Sequence, residues 1–303
     1  MNSLVEPFLV RDGSTFRLKR VNPDDTGGFR AEKADAKKAL GEGIDRLRGL
    51  QEKLYAQDQW GVLLIFQAMD AAGKDGVIAH VMTGVNPQGC DVTSFKQPSA
   101  EELDHDFLWR TVKRLPERGR IGIFNRSYYE EVLIVRVHPE LLTKQKLPGS
   151  LHRKDVFAQR YEDINAHERY LARNGYLIRK FFLHITKGEQ TKRFRKRIED
   201  PDKHWKFSLG DLHEQERWPD YMDAYESAVR HTATPHAPWI VVPANQKWFA
   251  RLVVATAVIE ALEELDLAFP PLTGDKRREL EAARKLLSMG VNRSRGDRDP
   301  RNT

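Results

Sequence analysis

Short apolar runs alternate along this chain with longer stretches in which apolar residues recur at helical spacing. The runs are Gly61–Phe66, Asp91–Phe95, Gly119–Phe124, Tyr176–Ile185 and Trp239–Val242, and they read as strands. Residues 30–58 read as a helix, with Ala36, Leu40, Ile44, Leu47, Leu50 and Leu54 on one face. Further helices fit near 74–83, 100–116, 129–142, 152–174, 188–199 and 218–231, and a last apolar one over 245–266. Long helices between short apolar strands imply parallel βαβ units, so the expected fold class is α/β, a parallel sheet between helices. Residues 1–29 are loop-rich, and Pro270-Pro271 ends the final apolar helix. The charged tail is helix-capable in its first half, and its end, Asn292–Thr303, reads as disordered. The expected organisation is an N-terminal extension with a helix (1–58), a core (59–271) with a lid at about 187–211, and a tail (272–303). Binding chemistry is expected at the carboxyl ends of the strands.

The first strand leads into Ala68-Met-Asp-Ala-Ala-Gly-Lys-Asp-Gly76, and an apolar-periodic segment follows. Strand, glycine-lysine loop and helix is the layout of a P-loop. Backbone N–H groups at a helix N-terminus face a phosphate, the helix dipole favours its charge, and Lys74 adds a cation. Ala71, Ala72, Gly73, Lys74, Asp75 and Gly76 are therefore the candidate phosphate cradle. Two positions depart from the general pattern: Ala68 stands for Gly, and Asp75 for Ser or Thr. Asp70 places a second acid in the loop. Two acids beside a phosphate repel it unless a divalent cation lies between, and oxygen ligands of this kind suit Mg²⁺. The plainer reading, a turn with a solvated lysine and a capping aspartate, leaves the agreement of strand, glycine and lysine unexplained.

Two more segments emerge on the same edge. After Phe124 come Asn125, Arg126 and Ser127, with Glu130 one turn on. Arg126 is placed to clamp a phosphate, and Glu130 could supply a metal carboxylate that Asn125 cannot. The alternative makes Asn125 a helix cap and Glu130 a partner of the helix dipole. After Ile185 a basic helix carries Arg193 and Arg197 on one face, surrounded by Lys192, Arg195 and Lys196. Asp200-Pro201 stops it, and Lys203 and Lys206 flank Trp205. Such a cationic lid suits phosphoryl transfer, where charge must be neutralised and water kept out. A solvated basic helix and a nucleic-acid-binding helix are the competing readings, and no nucleic-acid recognition module accompanies it.

Bulk properties narrow the choice. The chain has 303 residues with a net charge of +6, which favours an acidic partner. A single cysteine, Cys90, excludes an internal disulfide framework and fits a reducing compartment. No leader pattern opens the chain, and the apolar stretch Leu252–Leu262 is too short to span a bilayer. The expectation is a soluble cytoplasmic protein without membrane contact. The ten histidines show no metal-ligand spacing, so no zinc site is expected. His80 and His184 read as packed, Ser127 lacks a base, and Trp109, Trp218, Trp239 and Trp248 read as core or interface.

Four motifs in order carry a family resemblance. They are Ala68–Gly76, Gly84-Val-Asn-Pro-Gln-Gly89, Phe124-Asn-Arg-Ser-Tyr-Tyr-Glu130, and Arg193…Arg197…Asp200-Pro-Asp-Lys-His-Trp-Lys-Phe-Ser208. Over about residues 30–267 the chain resembles polyphosphate kinase family 2. The resemblance implies a three-layer P-loop kinase fold with a helical lid. It also implies phosphoryl transfer between inorganic polyphosphate and AMP, ADP or ATP with Mg²⁺, or with Mn²⁺ in its place. Carried over by residue, Asp70 would hold the metal and Lys74 would grip phosphates. Arg126 would contact the transferred group, and Arg193 and Arg197 would neutralise charge from the lid. Many members have Asp at the position of Asn125 and Asn at that of Glu130. The combination present here looks like the subgroup that phosphorylates both AMP and ADP, and Glu130 then takes the metal role. The family implies a homo-oligomer, dimer or tetramer, and no nucleic-acid partner. The rival readings are an ADP-only polyphosphate kinase, an ATP-dependent small-molecule kinase of the same fold, and a non-enzymatic nucleic-acid binder.

Overall fold

A computed structural model describes residues 4–28, 33–151 and 155–296, with the side chains of 33–40 and 289–296 outside that description. The strands are β1 (Leu9–Val10), β2 (Gly61–Gln67), β3 (Cys90–Ser94), β4 (Ile121–Asn125), β5 (Tyr176–His184) and β6 (Trp239–Pro243). They form one sheet in the order β1-β6-β5-β2-β4-β3. β1 runs antiparallel to β6, and every other pairing is parallel. The helices are α1 (Lys33–Gln57), α2 (Lys74–Val81), α3 (Ala100–Leu103), α4 (Trp109–Val112), α5 (Ile134–Val137) and α6 (Val156–Arg173). They continue with α7 (Lys187–Glu199), α8 (Leu209–Glu216), α9 (Trp218–Thr232), α10 (Lys247–Glu263) and α11 (Gly274–Gly296).

The α/β class and its three layers follow from strands that are apolar on both faces. All seven residues of β2 are buried. Val62, Leu64 and Phe66 point into one layer with Leu47, Leu54, Phe249 and Val253 of α1 and α10. Leu63 and Ile65 point into the other with Tyr129, Ile164, Tyr225 and Val241. This double burial is what a parallel sheet requires. β2 sits between β4 and β5, so the loops after β2, β4 and β5 converge at one carboxyl edge, where open α/β sheets bind ligands. The chain divides into two compact units, Met1–Leu267 and Ala268–Thr303. The second contains α11.

Several expectations change. The single helix over 100–116 is two short ones, because the Asp106 carboxylate accepts from the Leu108 and Trp109 amides (2.9 and 3.2 Å) and caps a new start. The helix over 129–142 is instead a 3-10 turn at Tyr128–Val132, the short α5, and a second 3-10 stretch at Pro139–Gln145. There Ser127 caps the first turn and Pro139 interrupts any continuous ladder. β1 and α8 had no counterpart in the sequence reading. The helix expected over 152–174 begins at Val156, and 152–154 lie outside the described residues. α11 continues to Gly296, so Asn292–Gly296 is helical rather than disordered, and 297–303 lie outside the described residues.

His184, at the end of β5, is packed as expected, with 8% exposure. Burial pushes its imidazole down to about 4. The unfolded chain titrates near 6.5. Stability from keeping this ring neutral is therefore complete above about pH 6.5 and is lost as pH falls through about 4, a swing on the order of 3 kcal/mol. His184→Gln should flatten the fall of Tm between pH 6.5 and 4 relative to the wild type. Parallel Tm–pH curves would contradict this.

Candidate active site

The loop between β2 and α2 is shaped by two left-handed residues, Ala71 (φ 60°) and Gly73 (φ 103°). Gly73 adopts that backbone without steric cost, whereas Ala71 is held there by its surroundings. The turn is closed by the Ala72 amide donating to the Met69 carbonyl (3.2 Å). α2 starts at Lys74. The Lys74 side chain is buried and folds back beneath the loop, its Nζ donating to the Ala68 carbonyl (2.7 Å). Burial pulls the Lys74 pKa down; Asp70, Glu130 and Asp75 oppose the shift, and Arg126 adds to it.

β4 delivers the second set of groups. Asn125 Nδ2 donates to Asp75 Oδ1 (2.7 Å), tying the tip of β4 to the first turn of α2. Arg126 has a left-handed backbone (φ 64°), and its amide donates to the Phe66 carbonyl (3.0 Å). Its guanidinium donates to Asp70 Oδ1 (3.1 Å) and lies 3.8 Å from Glu130 Oε2. The Gln67 amide is best oriented with its nitrogen donating to Glu130 Oε1 (2.9 Å) and its oxygen accepting from Ser127 Oγ (3.1 Å). Burial pushes the Glu130 carboxyl up, against the pull of Arg126 and Lys74. Acids and bases thus alternate across the edge: Lys74, Asp70, Arg126, Glu130.

The lid separates two arginines that share a helix face. Arg193 is buried, and all five of its N–H groups are used. Nε donates to Glu189 Oε1 (2.8 Å). Nη1 reaches the carbonyls of Ala71 (3.2 Å) and Ala72 (2.6 Å), and Nη2 those of Ala244 (2.7 Å) and Asn245 (3.0 Å). Arg193, expected to neutralise charge from the lid, spends its N–H groups on protein oxygens behind the loop and fixes the loop's carbonyls. Arg197 is only loosely held, 3.4 Å from Asp211 Oδ2 and 3.4 Å from the Lys206 carbonyl. Arg193→Ala should lower Tm by several degrees together with kcat, because it orphans four carbonyls. Arg197→Ala should raise the KM for an anionic substrate with Tm unchanged. Equal Tm losses for the two variants would refute the division.

Asp70, Ala71, Gly73, Lys74, Asp75, Gly76, Asn125, Arg126, Arg197 and Lys206 line one cavity of about 400 Å³. Ala72 joins through its carbonyl bond to Arg193. Lys203 is exposed, paired with Asp200, and does not line that cavity. A second cavity of about 360 Å³ lies on the other side of Arg126 and Glu130, with Leu103, Phe107, Ile134 and Val135 in its wall and Lys96, Arg110 and Lys144 among its lining. Asp211, from α8, was not singled out in the sequence; it lies 3.4 Å from Arg197 and is coupled to the charges of the site. Burial and Asp70 push its carboxyl up, while Arg197, Arg126 and Lys74 pull it down.

Among the described residues, no cluster of three or more His, Cys, Asp or Glu side chains is placed to hold a metal. The carboxylates present are Asp70 and Asp75, which line the P-loop cavity, and Glu130, which lines the second cavity beside Arg126. That set fits Mg²⁺ in its usual mode, held by one or two carboxylates with substrate phosphates and waters completing the shell.

Residues 30–270 match the family model described as polyphosphate kinase 2. The chain is 52% identical over 288 residues to an ADP-polyphosphate phosphotransferase of Rhodopseudomonas palustris, covering 95% of this chain and 99% of that one. It is 44% identical to an AMP/ADP-polyphosphate phosphotransferase of Meiothermus ruber, covering 91% and 100%. The crystal structure of polyphosphate kinase 2 from Arthrobacter aurescens superposes with a TM-score of 0.83 at 43% identity, covering 93% of this chain and 97% of that one.

Proposed function

The chain belongs to the polyphosphate kinase 2 family, and from that premise we propose that it transfers a phosphoryl group from inorganic polyphosphate to ADP and also to AMP. The observation that carries this reading is the position of Arg126, which lines both cavities. One cavity is basic and continuous with the P-loop, and suits a polyanion. The other has an apolar wall and the volume of a small-molecule site, and suits a nucleoside. The donor phosphate and the acceptor phosphate then meet at Arg126.

The transfer needs no protein nucleophile, because a nucleotide's terminal phosphate oxygen is already anionic. That oxygen attacks the terminal phosphorus of the polymer in line. The bond to the bridging oxygen breaks, and the shortened polymer leaves carrying the negative charge. Lys74 and Arg126 neutralise charge on the transferred group, and Arg197 and Lys206 do so along the polymer. Arg193 holds the loop carbonyls so that the amides of Gly73 to Gly76 face the phosphates. Asp70 and Glu130 would hold Mg²⁺, or Mn²⁺ in its place, and the ion would screen the repulsion between these carboxylates and the phosphates. The setting is proposed as cytoplasmic and the enzyme as a homo-oligomer; among the described residues no helix is long and apolar enough to cross a membrane.

Offering polyphosphate and Mg²⁺ with AMP or ADP separately, and resolving products by chromatography, tests the reading. ADP and then ATP from AMP supports it. Product from ADP alone would restrict the acceptor, in line with the name of the Rhodopseudomonas relative. Consumption of ATP on small-molecule acceptors, with polyphosphate ignored, would point to an ordinary kinase.

A further inference from the structure

The turn that carries Arg126 and Glu130 is poorly held by its own backbone. Arg126 sits in the left-handed region, and Tyr128–Val132 is a 3-10 helix, whose hydrogen bonds are less well aligned than those of an α-helix. Contacts from outside the turn add to the Ser127 cap and to the bond from the Arg126 amide to the Phe66 carbonyl. Between its two charged residues lie Tyr128 and Tyr129, both buried, and Tyr128 also lines the second cavity. Tyr128 is 2% exposed and Tyr129 0%. Both hydroxyls donate to one oxygen of one carboxylate, Glu168 Oε1, at 3.0 and 2.8 Å. The other oxygen of Glu168 accepts from Lys180 Nζ (2.6 Å). Lys180 also donates to the Tyr129 hydroxyl (2.9 Å) and to the Thr232 carbonyl (2.7 Å). Four elements are joined in this way: the turn, α6, β5 and the end of α9.

We propose that Tyr128 and Tyr129 are positioning residues for phosphoryl transfer, tethering the turn to the Glu168–Lys180 pair so that Arg126 and Glu130 keep their places. This rests on the polyphosphate kinase reading. The tether gives both buried hydroxyls one shared anchor, directly beside two residues that face the site. A buried, fully satisfied polar network is rigid, and loosening the turn by even 1 Å is costly to a transfer that depends on alignment.

The test is Tyr128→Phe/Tyr129→Phe, which removes both hydroxyls with little change of shape and leaves the Glu168–Lys180 pair intact. The control is Leu54→Ala, which lowers stability from the opposite layer of the sheet. Three quantities are read: kcat and KM with ADP and polyphosphate, amide hydrogen exchange over residues 126–132, and Tm. The double variant should lose about tenfold in kcat with KM for polyphosphate within about twofold, and its exchange over 126–132 should rise about tenfold. Leu54→Ala should lower Tm at least as much yet keep kcat within about twofold. Unchanged kcat, or unchanged exchange over 126–132, in the double variant would overturn the proposal. So would an equal loss of kcat in Leu54→Ala, which would make the effect one of general stability. A wild type that transfers nothing from polyphosphate would overturn the functional reading instead. That failure is told apart because the exchange of 126–132 is read without turnover.

Discussion

Lys74→Ala should cut kcat by about a thousandfold while leaving Tm no lower than that of the wild type. The two halves of that expectation have one cause. The ammonium lies beneath the loop at 9% exposure, with burial pulling its pKa down. A buried ammonium of this kind costs stability and is retained for its charge. Removing it gives back desolvation energy but takes from the loop the one cation that lies beneath it, leaving Arg126, Arg197 and Lys206 to oppose Asp70 and Asp75 from the cavity wall. Lys74→Arg should do no better, because a longer planar group does not fit behind the carbonyl of Ala68. Circular dichroism, Tm and steady-state kinetics on the purified variants decide the matter. Retention of more than a tenth of kcat in Lys74→Ala would reduce the loop to scaffold.

Lys180→Met is expected to be the most destabilising single change, at about 3–5 kcal/mol, because it strands a carboxylate. Lys180 and Glu168 are both wholly buried. The ammonium's three protons are matched by three acceptors, and the rings of Tyr129 and Trp239 lie 5.4 and 5.3 Å from Nζ. Burial lowers its pKa, and Glu168 opposes that. Without Lys180, Glu168 keeps only the two tyrosine hydroxyls. Lys180→Met/Glu168→Leu should recover a large part of the loss, since buried pairs replaced whole are far less costly than pairs broken. Urea unfolding of the three proteins checks this. A double variant no better than the single one would mean that the pair itself, rather than the orphaned charge, carries the stability.

The cavity lining was most readable where it is local. Lys74 and Asp70 belong to one loop whose glycine, lysine and flanking apolar runs are all within a few residues. Arg193 and Arg197 show the limit. Helical spacing places both on one face, yet it carries no information about what that face meets. Here the Arg193 end meets the carbonyls of Ala71, Ala72, Ala244 and Asn245, which come from two distant loops. Arg197, four residues on, has already cleared them. Glu130 is similar: its place one turn after Arg126 is visible in the sequence, but the Gln67 amide arrives from the end of another strand. The long helix read over 129–142 failed because apolar spacing outweighed Ser127 and Pro139, whose turn chemistry decides the backbone there. Asp211 was overlooked because an acid in a charged stretch carries no pattern of its own.

The shortest element of the fold sets a practical boundary on how the protein can be produced. β1 is two residues long, and it pairs Leu9 with Ile240 and Val10 with Trp239. All five residues of β6, the strand it covers, are buried. A recombinant version trimmed beyond Val10 would leave that apolar strand as an open edge, with unpaired amides and carbonyls ready to accept a strand from another molecule. Solubility during expression therefore depends on a dipeptide far along the chain from the catalytic loop, and affinity tags belong upstream of it rather than in its place.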